Sequence, residues 1–116
     1  MIKMWGLKNC DTCRKARKWL DANHIEYQFH DVRAGGLDKK TLARWTKELG
    51  WESLLNRRGT TWRKLSEADT RAVGEAWAQA LMLEHPALIK RPVFEAGGTV
   101  LVGFTEPVQE ALADLQ

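Results

Sequence analysis

The chain's two cysteines bracket Asp11-Thr12 in a C-x-x-C motif, Cys10 to Cys13. Thiols at that spacing can close a disulfide, hold half of a zinc site, or exchange with a substrate thiol. A disulfide across four residues closes almost no loop and gains little from restraining the unfolded chain. Zinc needs two further ligands, yet His24, His30 and His85 are scattered with no H-x₃₋₅-H pair, so no metal is expected. Redox or nucleophilic thiol chemistry remains, with two packed core cysteines as the bland alternative.

What must position such a pair can be read from the flanking pattern. Ile2–Trp5 is a short alternating run ended by Gly6, which predicts a buried strand and a turn. From about Cys13 the spacing of Ala16, Trp19, Leu20 and Asn23 is that of one helix face, with Arg14, Lys15, Lys18 and Asp21 opposite. Glu26–Val32 predicts a second strand, closed by Ala34-Gly35-Gly36. A strand, helix and strand with short links form a βαβ unit, right-handed by default. Asp38 should cap a helix bearing Leu42, Trp45 and Leu49, stopped by Gly50. Ser66-Glu67-Ala68-Asp69 resembles a capping box, and Ala76–Leu83 continues helically to Pro86. Strands return at Pro92–Glu95 and Val100–Val102 around a Gly97-Gly98 turn, and a last helix follows Thr105-Glu106-Pro107. The expectation is one α/β domain over residues 1–116, β-α-β then β-β-α in a mixed sheet, with a helical insertion at about 38–88. A C-x-x-C at the first strand-to-helix junction of such a unit is the thioredoxin-like redox signature.

With 116 residues the chain has room for one core, and 44% hydrophobic with 28% charged residues excludes a disordered composition. No apolar run approaches a membrane span and no signal-peptide pattern precedes the first strand, so a cytoplasmic, membrane-free protein is expected. The net charge of +3 is unevenly spread: residues 1–18 carry six cations against Asp11 alone, and Arg57, Arg58, Arg63, Lys64, Lys90 and Arg91 form later clusters. These suit an anionic small molecule or a solvated face. They are not interleaved with stacking aromatics along one strand, so direct nucleic-acid binding is not expected. The six tryptophans fall mostly at helical core spacings, with Trp62 the one expected at the surface.

Three blocks together resemble one family. Asn9-Cys10-Asp11-Thr12-Cys13-Arg14 resembles the active-site segment of the glutaredoxin-like arsenate reductase (ArsC)/Spx/YffB superfamily. Glu84-His85-Pro86-Ala87-Leu88-Ile89-Lys90-Arg91-Pro92-Val93 resembles its second signature. Leu54–Leu65, with Asn56-Arg57-Arg58-Gly59, is most similar to the YffB branch. The blocks span nearly the whole chain in the right order. The resemblance implies a thiol-disulfide oxidoreductase, a glutathione-dependent thiol reductase, with no bound cofactor and glutathione as co-substrate. Its partners would be glutathione or a protein thiol or disulfide, with glutaredoxin as a further candidate. Two alternatives belong to the same superfamily: an Spx-like redox switch binding RNA polymerase, and a glutaredoxin-dependent arsenate reductase. The arsenate branch holds its oxyanion with arginines, of which Arg91 matches. The other two positions fall at Asn56 and Gly103.

Cys10 is the expected nucleophile, because a helix start and nearby Lys8, Arg14 and Arg91 favour a thiolate. Cys13, one turn further in on the buried face, is the resolving thiol, a role glutathione can also fill. Thr12 is expected either to cap the helix or to donate to Cys10. The resemblance implies a cis Pro92 against the cysteine pair, offering backbone groups to a substrate, with Arg91 beside it facing a carboxylate. Arg57 and Arg58 are candidates for an anion-binding edge, or for a solvated loop. His85 is read as a helix C-cap.

Overall fold

The computed structural model describes residues 1–34, 36–71 and 74–115. In chain order its elements are β1 (Ile2–Gly6), α1 (Asp11–Ala22), β2 (Tyr27–Asp31), α2 (Lys39–Leu49), α3 (Trp51–Leu54) and α4 (Thr60–Arg63). Then come α5 (Glu67–Arg71), α6 (Glu75–Glu84), a 3₁₀ turn at Pro86–Leu88, β3 (Val93–Ala96), β4 (Thr99–Val102) and α7 (Glu106–Asp114). Internal contacts divide the chain into two units, Met1–Gly35 with Arg91–Gln116, and Gly36–Lys90.

The first unit is a four-stranded sheet in the order β2-β1-β3-β4, β1 parallel to β2 and the other pairs antiparallel. This is the thioredoxin-like α/β arrangement. Its logic is the period of two along β1: Ile2 and Met4 face the core and Lys3 faces solvent. The helix α1 answers with Cys13, Ala16 and Leu20, spaced three and four apart and all fully buried. Phe94 of β3 and Leu112 of α7 complete that cluster. Burying one leucine such as Leu20 contributes about 1.5–3 kcal/mol, so this face outweighs the cationic, solvated one opposite. Asn23, expected on the buried face, instead caps α1 in solvent, its amide donating to the Trp19 carbonyl. The next residue, His24, takes the left-handed conformation (φ 57°) usual for glycine after a helix, and Ile25 N–H reaches back to Leu20 O.

On the sheet's other face Trp5 is buried, stacks on His30 with centroids 4.8 Å apart, and donates Nε1–H to Glu95 Oε1 at 2.7 Å. Trp5 is therefore a strand residue, not part of a helical stripe.

In the second unit Asp38 caps α2 by accepting the Thr41 N–H at 2.8 Å. Leu42 and Trp45 are fully buried and Leu49 half-buried. Gln79 of α6 donates to the Thr46 hydroxyl of α2 at 2.8 Å. Ser66 caps α5 through the Asp69 N–H, but α5 and α6 are separate helices and Gly74 precedes the second. His85 closes α6, its N–H on Leu81 O. Nothing in the sequence periodicity predicts α3 and α4, each four residues long. Trp62 is half-buried, not exposed: it meets Trp77 edge to face, as does Trp51, and Arg57 lies over the rings of Trp51 and Trp62. Among the described residues no helix is long and apolar enough to cross a membrane.

Candidate functional site

The parallel pairing of β1 with β2 brings both strands out at the same edge, Gly6 opposite Asp31 in register. Residues that follow either strand therefore meet there, which is where open α/β sheets keep their crevices. A cleft of about 390 Å³ lies at this edge, with Lys8, Asn9, Cys10, Asp31, Arg33 and Arg91 among its walls.

Cys10 is the N-cap residue of α1 and half-buried, while Cys13, in the first turn, is fully buried. Both are free thiols. Cys13 fits because β1 ends in Gly6: a Cβ at that position would lie 2.6 Å from the Cys13 sulfur. The absent side chain of Gly6 is thus the space that Cys13 fills.

The two sulfurs have opposite proton affinities. Partial burial alone would raise the Cys10 pKa. The Cys13 N–H and thiol, with the guanidinium of Arg91, together outweigh it and hold Cys10 below the ordinary value. Burial pushes Cys13 up to about 12; the Leu7 backbone N–H pulls against it, and the neighbouring Cys10 sulfur adds to the rise. Of the two sulfurs Cys10 is thus the more readily ionised, and the Cys13 thiol is placed to donate a hydrogen bond to it. Replacing Arg91 by methionine should remove one of these contributions. The alkylation-rate profile of Cys10 should then move to higher pH, and an unmoved profile would exclude Arg91 from the site's electrostatics.

The remaining sequence candidates divide. The Arg91–Pro92 bond is cis, as the resemblance implied, and Pro92 is buried. Its carbonyl does not await a substrate, because it accepts the Gly103 N–H at 2.8 Å. Thr12 does not cap α1: Cys10 holds that position without a side-chain capping bond, and Thr12 is exposed on the first turn. Arg14 is an ion-pair partner of Asp11, and Lys8 stands in the wall of the Cys10 cleft. Arg57 and Arg58 belong to the second unit, where they line a cleft of about 410 Å³ with Asn56 and Lys90. Two cleft residues, Asp31 and Arg33, were not among the sequence candidates. The available signal was topological: in a parallel βαβ unit the residues leaving the second strand flank the loop leaving the first. Among the described residues no group of three or more metal-ligating side chains assembles.

Comparison with known proteins places these features in context. A model of the ArsC family matches residues 5–112. A solved structure of a YffB protein, 49% identical, superposes with a TM-score of 0.91 over 97% of this chain and 98% of its own. An arsenate reductase-related protein of Brucella melitensis, also 49% identical, gives 0.77 over 95% and 92%. The global transcriptional regulator Spx of Streptococcus agalactiae serotype V is 28% identical over 108 residues, covering 91% of this chain and 78% of its own.

Proposed function

The chain belongs to the ArsC family, and from that premise we propose that it is a cytoplasmic, glutathione-dependent thiol-disulfide oxidoreductase. The observation that carries this reading is the asymmetry of the two sulfurs, one held toward the thiolate and the other held as a thiol. The Cys10 thiolate attacks one sulfur of a disulfide, forming a mixed disulfide and expelling the other half as a thiolate. Cys13 or a glutathione thiolate then attacks the Cys10 sulfur and releases the remaining half. Two electrons have then passed to the substrate, leaving Cys10 in a disulfide with Cys13 or with glutathione. Further glutathione reduces that disulfide and is itself oxidised to its disulfide. The first attack needs a pKa near ambient pH, where thiolate fraction and nucleophilicity are best balanced.

The test is glutathione-dependent turnover of a panel of disulfides and of arsenate, with Cys10→Ser as control. Turnover that survives Cys10→Ser would remove the basis of the proposal. A second reading, a redox-switched regulator that binds RNA polymerase, is favoured by the match to Spx. No turnover with any acceptor, together with thiol-dependent capture of the polymerase, would select it.

Arsenate is expected to be a poor acceptor. Asn56 and Gly103 stand where the arsenate branch has arginines. Gly103 has φ +86°, a conformation in which any side chain is strained, and its N–H is committed to Pro92. One missing charge-assisted donor corresponds to about 1.5–3 kcal/mol, or roughly ten- to a hundredfold in affinity. Arsenate turnover comparable with that of disulfides would move the protein into the arsenate branch.

A further inference from the structure

The Cys10 cleft has a second arginine in its wall, Arg33, that the chemistry above does not use. Asp31 ends β2, and its Oδ1 accepts the backbone N–H groups of Arg33 at 2.7 Å and Ala34 at 3.2 Å. Val32 N–H is tied to Gly6 O at 3.0 Å. The turn leaving β2 is therefore fixed at both its first residues, and the backbone carrying Arg33 is held at the rim of the cleft. The Arg33 side chain is exposed and has no hydrogen-bond or ion-pair partner among the described residues. Other arginines of this unit are engaged: Arg14 with Asp11, and Arg17 with Tyr27 and the ring of Phe29. Arg91 acts on the Cys10 sulfur itself.

We propose that Arg33 is the specificity-determining residue of the Cys10 cleft, a carboxylate-binding subsite that makes small carboxylate-bearing thiols the preferred reactants. This rests on the reading that Cys10 exchanges thiols. A guanidinium presents a planar fork of donors that matches a carboxylate, which the single ammonium of Lys8 does not. The cleft's one acid, Asp31, already spends an oxygen on two N–H groups, so cations dominate its field. Its volume of about 390 Å³ lies at the small end of ligand sites, suiting a peptide thiol of a few residues. Asp31 is a positioning residue that acts through the turn.

The subsite can be read without turnover. Iodoacetate and iodoacetamide alkylate the same sulfur and differ by one carboxylate, so the ratio of their rates at Cys10 reports the field at the attacking position. Arg33→Ala should lower the iodoacetate-to-iodoacetamide ratio by about two- to fivefold, the range of one exposed ion pair. Arg33→Glu should lower it further, Arg33→Lys should restore part of it, and added salt should shrink every difference. Lys18→Ala removes a charge of the same sign from α1, outside the cleft, and should leave the ratio alone. An unchanged ratio in Arg33→Ala, or an equal fall in Lys18→Ala, would overturn the proposal. Glutathione turnover by the wild-type protein with an unchanged ratio in Arg33→Ala would sink the subsite and leave the reductase reading intact. A fall in the ratio in a protein without turnover would do the reverse. Where both hold, the KM for glutathione should rise in Arg33→Ala by the same two- to fivefold.

Discussion

Treated with limiting iodoacetamide at pH 7, the reduced protein should be labelled at Cys10 and leave Cys13 intact. A thiol whose pKa is pushed up to about 12 is ionised in roughly one molecule in 10⁵ at that pH. Cys10 lies below the ordinary 9.0, so at least about one molecule in a hundred carries the thiolate. The thiolate is the reacting species, and with the greater nucleophilicity of the more basic sulfur allowed for, selectivity of about thirtyfold or more follows before accessibility is considered. Peptide mapping by mass spectrometry reads this directly, and Cys13 labelled first would exchange the two roles. Cys10→Ser should correspondingly reduce thiol exchange by more than about thirtyfold, since no second sulfur is both readily ionised and accessible. Stability should carry the same asymmetry. Because the folded Cys13 keeps its proton to about 12, its contribution is complete below the unfolded thiol's pKa and is lost as pH rises from there through about 12. Cys10 works in the opposite sense: its contribution is present in alkaline solution and fades as pH falls through its lowered pKa.

Gly6→Ala should damage both fold and site through one atom. The new Cβ would lie 2.6 Å from the Cys13 sulfur, 3.5 Å from its Cβ and 3.6 Å from Phe29, in a region with no solvent to yield. Overpacking of this kind costs about 1–3 kcal/mol. Cys13 must shift, and the hydrogen bonds it supplies to Cys10 weaken, so the Cys10 alkylation profile should move to higher pH. Denaturant titration and the pH dependence of labelling measure the two effects together. Removing the sulfur relieves the clash, so in a Cys13→Ala background the same substitution should be far less costly, a coupling that a double-mutant cycle isolates. A fully stable Gly6→Ala protein with an unmoved profile would show that Cys13 does not depend on this glycine.

The legible parts of the fold were those with local causes. Asp38 and Gly50 bound α2 because capping and helix termination are written within a few residues, and Cys13-Ala16-Leu20 declares the inner face of α1 by spacing alone. The short helices α3 and α4 have no period to detect, and they sit where Leu55 bridges Ile89 and Asn56 N–H bonds Leu88 O, contacts between segments more than thirty residues apart. The cysteine pair was visible as a motif, whereas the roles of its neighbours were not. Lys8 and Arg14 are close in sequence to Cys10, and Arg14 pairs with Asp11. Arg91, remote in sequence, acts on the Cys10 sulfur and is brought there by the pairing of β1 with β3. Gly6 read as a turn residue, and only the packed structure assigns its empty side to a sulfur atom.

That same pairing has a consequence for how the protein is made. Arg91 follows Cys10 by eighty-one positions, so a ribosome adding about 5–20 residues per second needs roughly 4–16 s to pass from the thiol to its arginine. Throughout that interval the nascent chain lacks β3, and whatever acidity Arg91 lends to Cys10 has yet to arrive. The complete field around the reactive sulfur is therefore installed late, when the strand beginning at Val93 closes against β1.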